Sequence, residues 1–114
     1  MQGPDRKPDS YKGENGKVSV IGGSVDFSGA PALSAQAALR TGSDLVKILT
    51  SESVKNVVAA YSENLIVDSY PSDYLILSGV ETALEKISWS DVSVIGPGLG
   101  SPDSEAVREV IDIT

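Results

Sequence analysis

Val18-Ser19-Val20-Ile21-Gly22-Gly23-Ser24-Val25-Asp26-Phe27-Ser28-Gly29-Ala30-Pro31 is the stretch that decides the fold. It opens with a short β-branched run that stops at two glycines, which predicts a buried strand over 18–21. Pro31 to Arg40 reads as a helix: proline suits a first helical turn, and Thr41-Gly42 supplies a stop. That helix is rich in Ala and Leu, as expected where a helix packs close to a sheet. Strand, glycine loop and helix in this order open an alternating α/β pattern.

Downstream the alternation repeats. Leu45-Val46-Lys47-Ile48-Leu49 predicts a second strand. Ser51 can cap the next helix, with Val54, Val57, Val58 and Tyr61 at i, i+3, i+4 and i+7. Leu65-Ile66-Val67 predicts a third strand. Val80, Ala83, Leu84 and Ile87 repeat the helical spacing. Val92-Ser93-Val94-Ile95 predicts a fourth strand, ended by Gly96-Pro97-Gly98-Leu99-Gly100. Ser101-Pro102 then opens a helix burying Ala106, Val107, Val110 and Ile111. The order is an α/β fold with a mostly parallel sheet, helices on both faces in three αβα layers, and right-handed crossovers. Upstream, residues 1–16 are polar, without apolar periodicity, and read as a lead-in arm; residues 17–114 form the domain. The chain ends at Thr114, just after a helix, where such a fold would supply another strand, so the pattern leaves the sheet unfinished.

Composition limits the chemistry. With 114 residues the chain suffices for one domain. It has no Cys and no His, which removes disulfides, thiolate nucleophiles, Cys/His zinc sites and His bases. A net charge of −7 argues against nucleic acid, whose phosphates call for clustered Lys and Arg. No apolar run approaches the ~20 residues that span a bilayer, and the start lacks the apolar stretch of a signal peptide. A cytoplasmic protein with no membrane partner is the expectation.

Open α/β sheets bind ligands at the carboxyl ends of their strands, and both glycine loops fall there. A tight turn explains one such loop; two on one sheet edge point to a binding site. Free N–H groups at a following helix start suit an anion. The spacing is neither the dinucleotide G-x-G-x-x-G nor the P-loop G-x-x-x-x-G-K-[ST]. Asp26 beside the first loop can orient a ligand hydroxyl, though a solvated turn aspartate is the simpler reading. Asp44 and Asp91 precede strands and read as turn residues. Lys12 and Lys17 read as exposed lysines, and Trp89 as core or edge packing. Ser24 has no base beside it in sequence, so no nucleophile is assigned.

The run Tyr11-Lys12-Gly13-Glu14-Asn15-Gly16-Lys17-Val18-Ser19-Val20-Ile21-Gly22-Gly23-Ser24 resembles the opening of NAD(P)H-hydrate dehydratases of the ribokinase-like superfamily, often labelled carbohydrate kinases. Gly29-Ala30-Pro31, with Ala37-Ala38-Leu39-Arg40-Thr41-Gly42 downstream, is similar to that family's first helix. Val94-Ile95-Gly96-Pro97-Gly98-Leu99-Gly100 is similar to its central glycine loop. The resemblance implies the N-terminal half of a ribokinase-like domain from an ATP- or ADP-dependent lyase using Mg²⁺. Such enzymes repair hydrated NADH and NADPH: the nucleotide phosphorylates the hydroxyl of the hydrated ring, and phosphate then leaves. It also implies hydrate binding through Gly29, Ala30, Gly98 and Gly100, both loops offering helix-terminal N–H groups.

Tyr11 stands where a His is common. The family's Gly-Thr-Gly-Asp motif, whose Asp is the catalytic base, is missing, as is the nucleotide-binding segment. Thr41-Gly42-Ser43-Asp44 looks similar but follows a helix and precedes a strand, whereas an anion hole needs a helix to begin there. The expectation is a truncated piece of a longer enzyme, with no catalytic residue, no metal ligand and no turnover alone. An uncovered sheet edge also leads us to expect a homo-oligomer. The alternatives are a small-molecule kinase of the same superfamily, acting on a vitamin precursor or sugar, and a non-catalytic nucleotide-binding or assembly module.

Overall fold

In a computed structural model of the chain, residues 16–62 and 64–113 are described, the side chains of 112 and 113 excepted. The expected lead-in arm, with Tyr11 and Lys12, lies outside them apart from Gly16. Among the described residues four strands alternate with four α-helices: β1 (Lys17–Ile21), α1 (Gly29–Arg40), β2 (Leu45–Ser51), α2 (Lys55–Ala59), β3 (Ile66–Tyr70), α3 (Val80–Trp89), β4 (Val92–Ile95) and α4 (Ser104–Ile113). All paired strands are parallel, in the order β3-β2-β1-β4.

Side-chain alternation along the strands sorts the core into two faces. Val18, Val20, Val46 and Ile48 pack with Ala32 and Ala35 of α1 and Val58 of α2. Ile21, Leu49 and Tyr70 pack on the other face with Val80 and Ala83 of α3 and Ala106 and Val110 of α4. The three αβα layers follow. Ala32 and Ala35 are fully buried; their single methyl groups let α1 lie close against β1 and β2.

Several boundaries differ from expectation; β1 begins one residue earlier, at Lys17, and β2 runs on to Ser51. α1 begins at Gly29, before Pro31. The second helix is a 3₁₀ turn over Glu52–Val54 followed by only five α-helical residues. Ser51 does cap it, accepting from the Ser53 N–H at 3.2 Å. The tighter turn shifts the helical phase, so Val54 and Val58 are buried while Val57 and Tyr61 are about half exposed. β3 runs on through Asp68, Ser69 and Tyr70, because parallel pairing to Leu49, Thr50 and Ser51 uses the backbone whatever the side chain. α4 starts at Ser104 rather than Ser101-Pro102; Asp103 Oδ1 accepts from the Glu105 N–H at 2.9 Å, and Ile111 is exposed rather than buried.

Among the described residues β4 pairs with β1 alone, and Val92 is 58% exposed. Within them, no helix is long and apolar enough to cross a membrane.

Candidate functional site

The strand order puts a switch point between β1 and β4. After β1 the chain turns to α1 on one face; α4, which follows β4, lies on the other. Their connecting loops therefore leave toward opposite faces at the carboxyl edge, the place where open α/β sheets take ligands in a crevice.

The two glycine loops meet at this edge backbone to backbone. Gly23 N–H donates to the Pro97 carbonyl at 2.8 Å, and Gly96 N–H donates to that of Ile21 at 3.1 Å. A Cβ on Gly22 would lie 2.3 Å from the Pro97 oxygen. At Gly98 (φ +73°) it would lie 3.0 Å from Phe27 Cβ and 3.2 Å from Ala30 Cβ. At Gly100 (φ +68°) it would meet Ser24 Oγ at 2.9 Å, Tyr74 Cε1 at 3.2 Å and Asp26 Oδ2 at 3.3 Å. The structure thus brings Ala30 and Gly98 together and sets Gly100 against the first loop. Gly29 points elsewhere, its Cβ position 3.0 Å from the Tyr61 hydroxyl.

The loops differ in what they offer an anion. Ser28 makes no side-chain cap on α1, and no acidic residue stands in its first turn. The partial positive charge of that helix end is left uncompensated. α4 is already served by Asp103 and Glu105 and starts four residues beyond Gly100. Gly98 and Gly100 are therefore not helix-terminal amides, which corrects the expectation that both loops end in one.

Several residues here carry no motif in the sequence. Tyr74 donates its phenol to Asp26 Oδ2 at 2.7 Å. That hydrogen bond to a carboxylate, with burial and the charges of Asp26 and Asp73 adding to it, raises the Tyr74 pKa. Val25 N–H donates to the Asp73 carbonyl at 3.0 Å, and Asp103 N–H to that of Leu75 at 2.9 Å. Residues 73–75 therefore strap the first glycine loop and the segment that leads from the second into α4. Below them the Tyr70 hydroxyl donates to the Gly23 carbonyl at 3.2 Å, and burial pushes that phenol up to about 12. Thr50 Oγ1 is buried without a hydrogen-bond partner among the described residues, against Gly23. Pro71-Ser72-Asp73-Tyr74 has no glycine signature, so only the fold shows that this loop belongs to the site.

Ser24 is buried, accepts from the Asp26 N–H at 3.3 Å and closes its own loop. Asp91 Oδ2 accepts from the Lys17 N–H at 2.9 Å, at the opposite end of the sheet. Trp89 is partly buried and packs under cations, 4.3 Å from Lys47 Nζ and 5.6 Å from Lys17 Nζ. Thr41-Gly42-Ser43-Asp44 joins α1 to the start of β2, also away from the glycine loops. Among the described residues no three Asp, Glu, His or Cys converge as metal ligands.

A sequence profile described as NAD(P)H-hydrate dehydratase matches residues 18–113. The chain is 41% identical over 99 residues to the ADP-dependent (S)-NAD(P)H-hydrate dehydratase of Haloterrigena turkmenica, covering 87% of this chain and 38% of that protein. It is 40% identical over 103 residues to a bifunctional NAD(P)H-hydrate repair enzyme of Methanothermobacter thermautotrophicus, covering 90% of this chain and 20% of that one. Among solved structures, a ribokinase-like superfamily protein from Enterococcus faecalis superposes with a TM-score of 0.73 at 28% identity, over 91% of this chain and 34% of its own. The ADP/ATP-dependent NAD(P)H-hydrate dehydratase of Bacillus subtilis, co-crystallised with ATP/Mg²⁺, gives 0.65 at 26% identity, over 96% and 36%. The chain spans under two-fifths of the length of these relatives.

Proposed function

We propose, from the premise that the chain belongs to the NAD(P)H-hydrate dehydratase family, that it supplies the hydrate-binding crevice of an enzyme repairing hydrated NADH or NADPH by ATP- or ADP-dependent dehydration. The observation that carries this reading is the interlocking of the two family-like glycine loops at the β1–β4 switch point, beside an uncapped α1. The amides around Gly29 and Ala30 take the diphosphate, because the uncompensated helix end favours negative charge there. Gly98 and Gly100 let the second loop approach closely enough to form the opposite wall. Asp26, held by Tyr74, offers its second carboxylate oxygen to a ligand hydroxyl.

These residues bind and orient. The Gly-Thr-Gly-Asp motif, whose Asp is the catalytic base in that family, does not occur in this chain, and among the described residues no three carboxylates converge to hold a metal ion. The 114-residue chain alone is therefore expected to bind hydrate and not to turn it over.

Calorimetric titration with hydrated NADPH, and with intact NADPH as control, tests the reading. Tighter binding of the hydrate supports it. A folded chain that ignores the hydrate, or does not prefer it to intact NADPH, refutes it. The same reading expects the isolated chain to self-associate through the open side of β4. Sedimentation showing only monomer at high concentration would exclude that.

A further inference from the structure

We infer that the Phe27 ring is the stacking platform for the adenine base of the bound hydrated dinucleotide; the inference rests on the hydrate-binding reading above. Phe27 is the only Phe in the chain, and it is 55% exposed. Burying a Phe side chain is among the larger contributions one residue can make to a core, and here about half of it is forgone. Its position is nonetheless fixed. Ser24 N–H donates to the Phe27 carbonyl at 3.0 Å and Phe27 N–H to that of Ser24 at 3.2 Å, closing a tight turn. Its Cβ lies against Gly98, and its backbone leads directly into Ser28 and α1. The side chain is therefore anchored at its Cβ, about half exposed, where the two glycine loops meet the start of α1.

A dinucleotide whose diphosphate lies at Gly29 and Ala30 carries each of its rings one ribose away. The two rings differ chemically. Hydration of nicotinamide puts saturated carbon into that ring and puckers it, while adenine stays flat and aromatic. Only the flat ring gains fully from an aromatic face.

The variants F27L and F27W separate the explanations. Because the side chain is exposed, both should keep the melting temperature of the parent chain. With the parent chain and F27W, the adenine H2 and H8 protons of hydrated NADPH should shift upfield on binding. With F27L the shift should vanish and the Kd rise about tenfold. Undiminished affinity and an unchanged adenine shift in F27L would overturn the inference while leaving the hydrate-binding reading intact. An upfield shift confined to the nicotinamide end would overturn the adenine assignment. If the parent chain binds no hydrate at all, the underlying reading falls and this one with it.

Discussion

Gly22 and Gly96 both belong to family-like motifs, yet they do different work. An added Cβ at Gly22 would meet a backbone oxygen at 2.3 Å, with no flexible neighbour to give way. At Gly96 nothing lies within 4 Å, and only the φ of +127° resists a side chain. Gly22→Ala should therefore cost about 3 kcal/mol by forcing the loops apart, and Gly96→Ala about 1–2 kcal/mol of backbone strain. Urea denaturation of the two variants gives the order directly. Thr50 makes the opposite case. Its buried hydroxyl has no partner among the described residues, so Thr50→Val should raise stability by about 1 kcal/mol, read from the thermal midpoint. A sequence marks where glycines cluster; it does not say which of them faces ligand, partner loop or empty space. Nothing in it identifies Tyr74, whose role depends on a loop brought in from the third strand.

At the level of elements, α3 is tied to β3 by the Lys86–Asp68 ion pair. The hydrogen bond from Lys86 is the main cause holding the Asp68 carboxyl below its ordinary value of 3.8; burial opposes it, and the charges of Lys86, Lys55 and Lys47 add to the lowering. A carboxylate depressed in the folded state contributes stability above its ordinary value and loses it as pH falls through the folded value. Asp68 is about half exposed, so the pair contributes under about 1 kcal/mol. Lys86→Met should lower the melting temperature slightly at pH 7, and the gap from the parent chain should close as pH drops below 3.8. A gap that persists into strong acid would mean that the lysine stem, rather than its charge, holds the helix. Element type and order were legible because β-branched runs and Ala/Leu periodicity are local signals. The phase of α2 and the polar half of β3 were not. A 3₁₀ turn and a backbone ladder leave no apolar pattern to read.

For the molecule as a whole, the net charge of −7 sets up self-repulsion that added salt screens. The melting temperature should rise by a few degrees between low and moderate NaCl, a trend opposite to that expected if the Lys86–Asp68 pair dominated. Calorimetric scans across a salt series decide it. The three-layer architecture follows from the alternation alone. The order β3-β2-β1-β4 does not, because nothing in the residues says that the fourth strand returns to the first. That order also dictates a sequence of events. β2 follows β1 after one helix, whereas the Lys17–Asp91 hydrogen bond beside β4 joins residues 74 apart. Loop-closure entropy makes the long connection the costlier one to form. A chain growing from its amino end can build β1, β2 and β3 into a sheet before β4 has been synthesised. The junction of the two glycine loops is thus the last part of this sheet to come into being. A ligand that needs both loops is retained only by chains that have finished folding, and it should slow amide exchange in β4 far more than in β2.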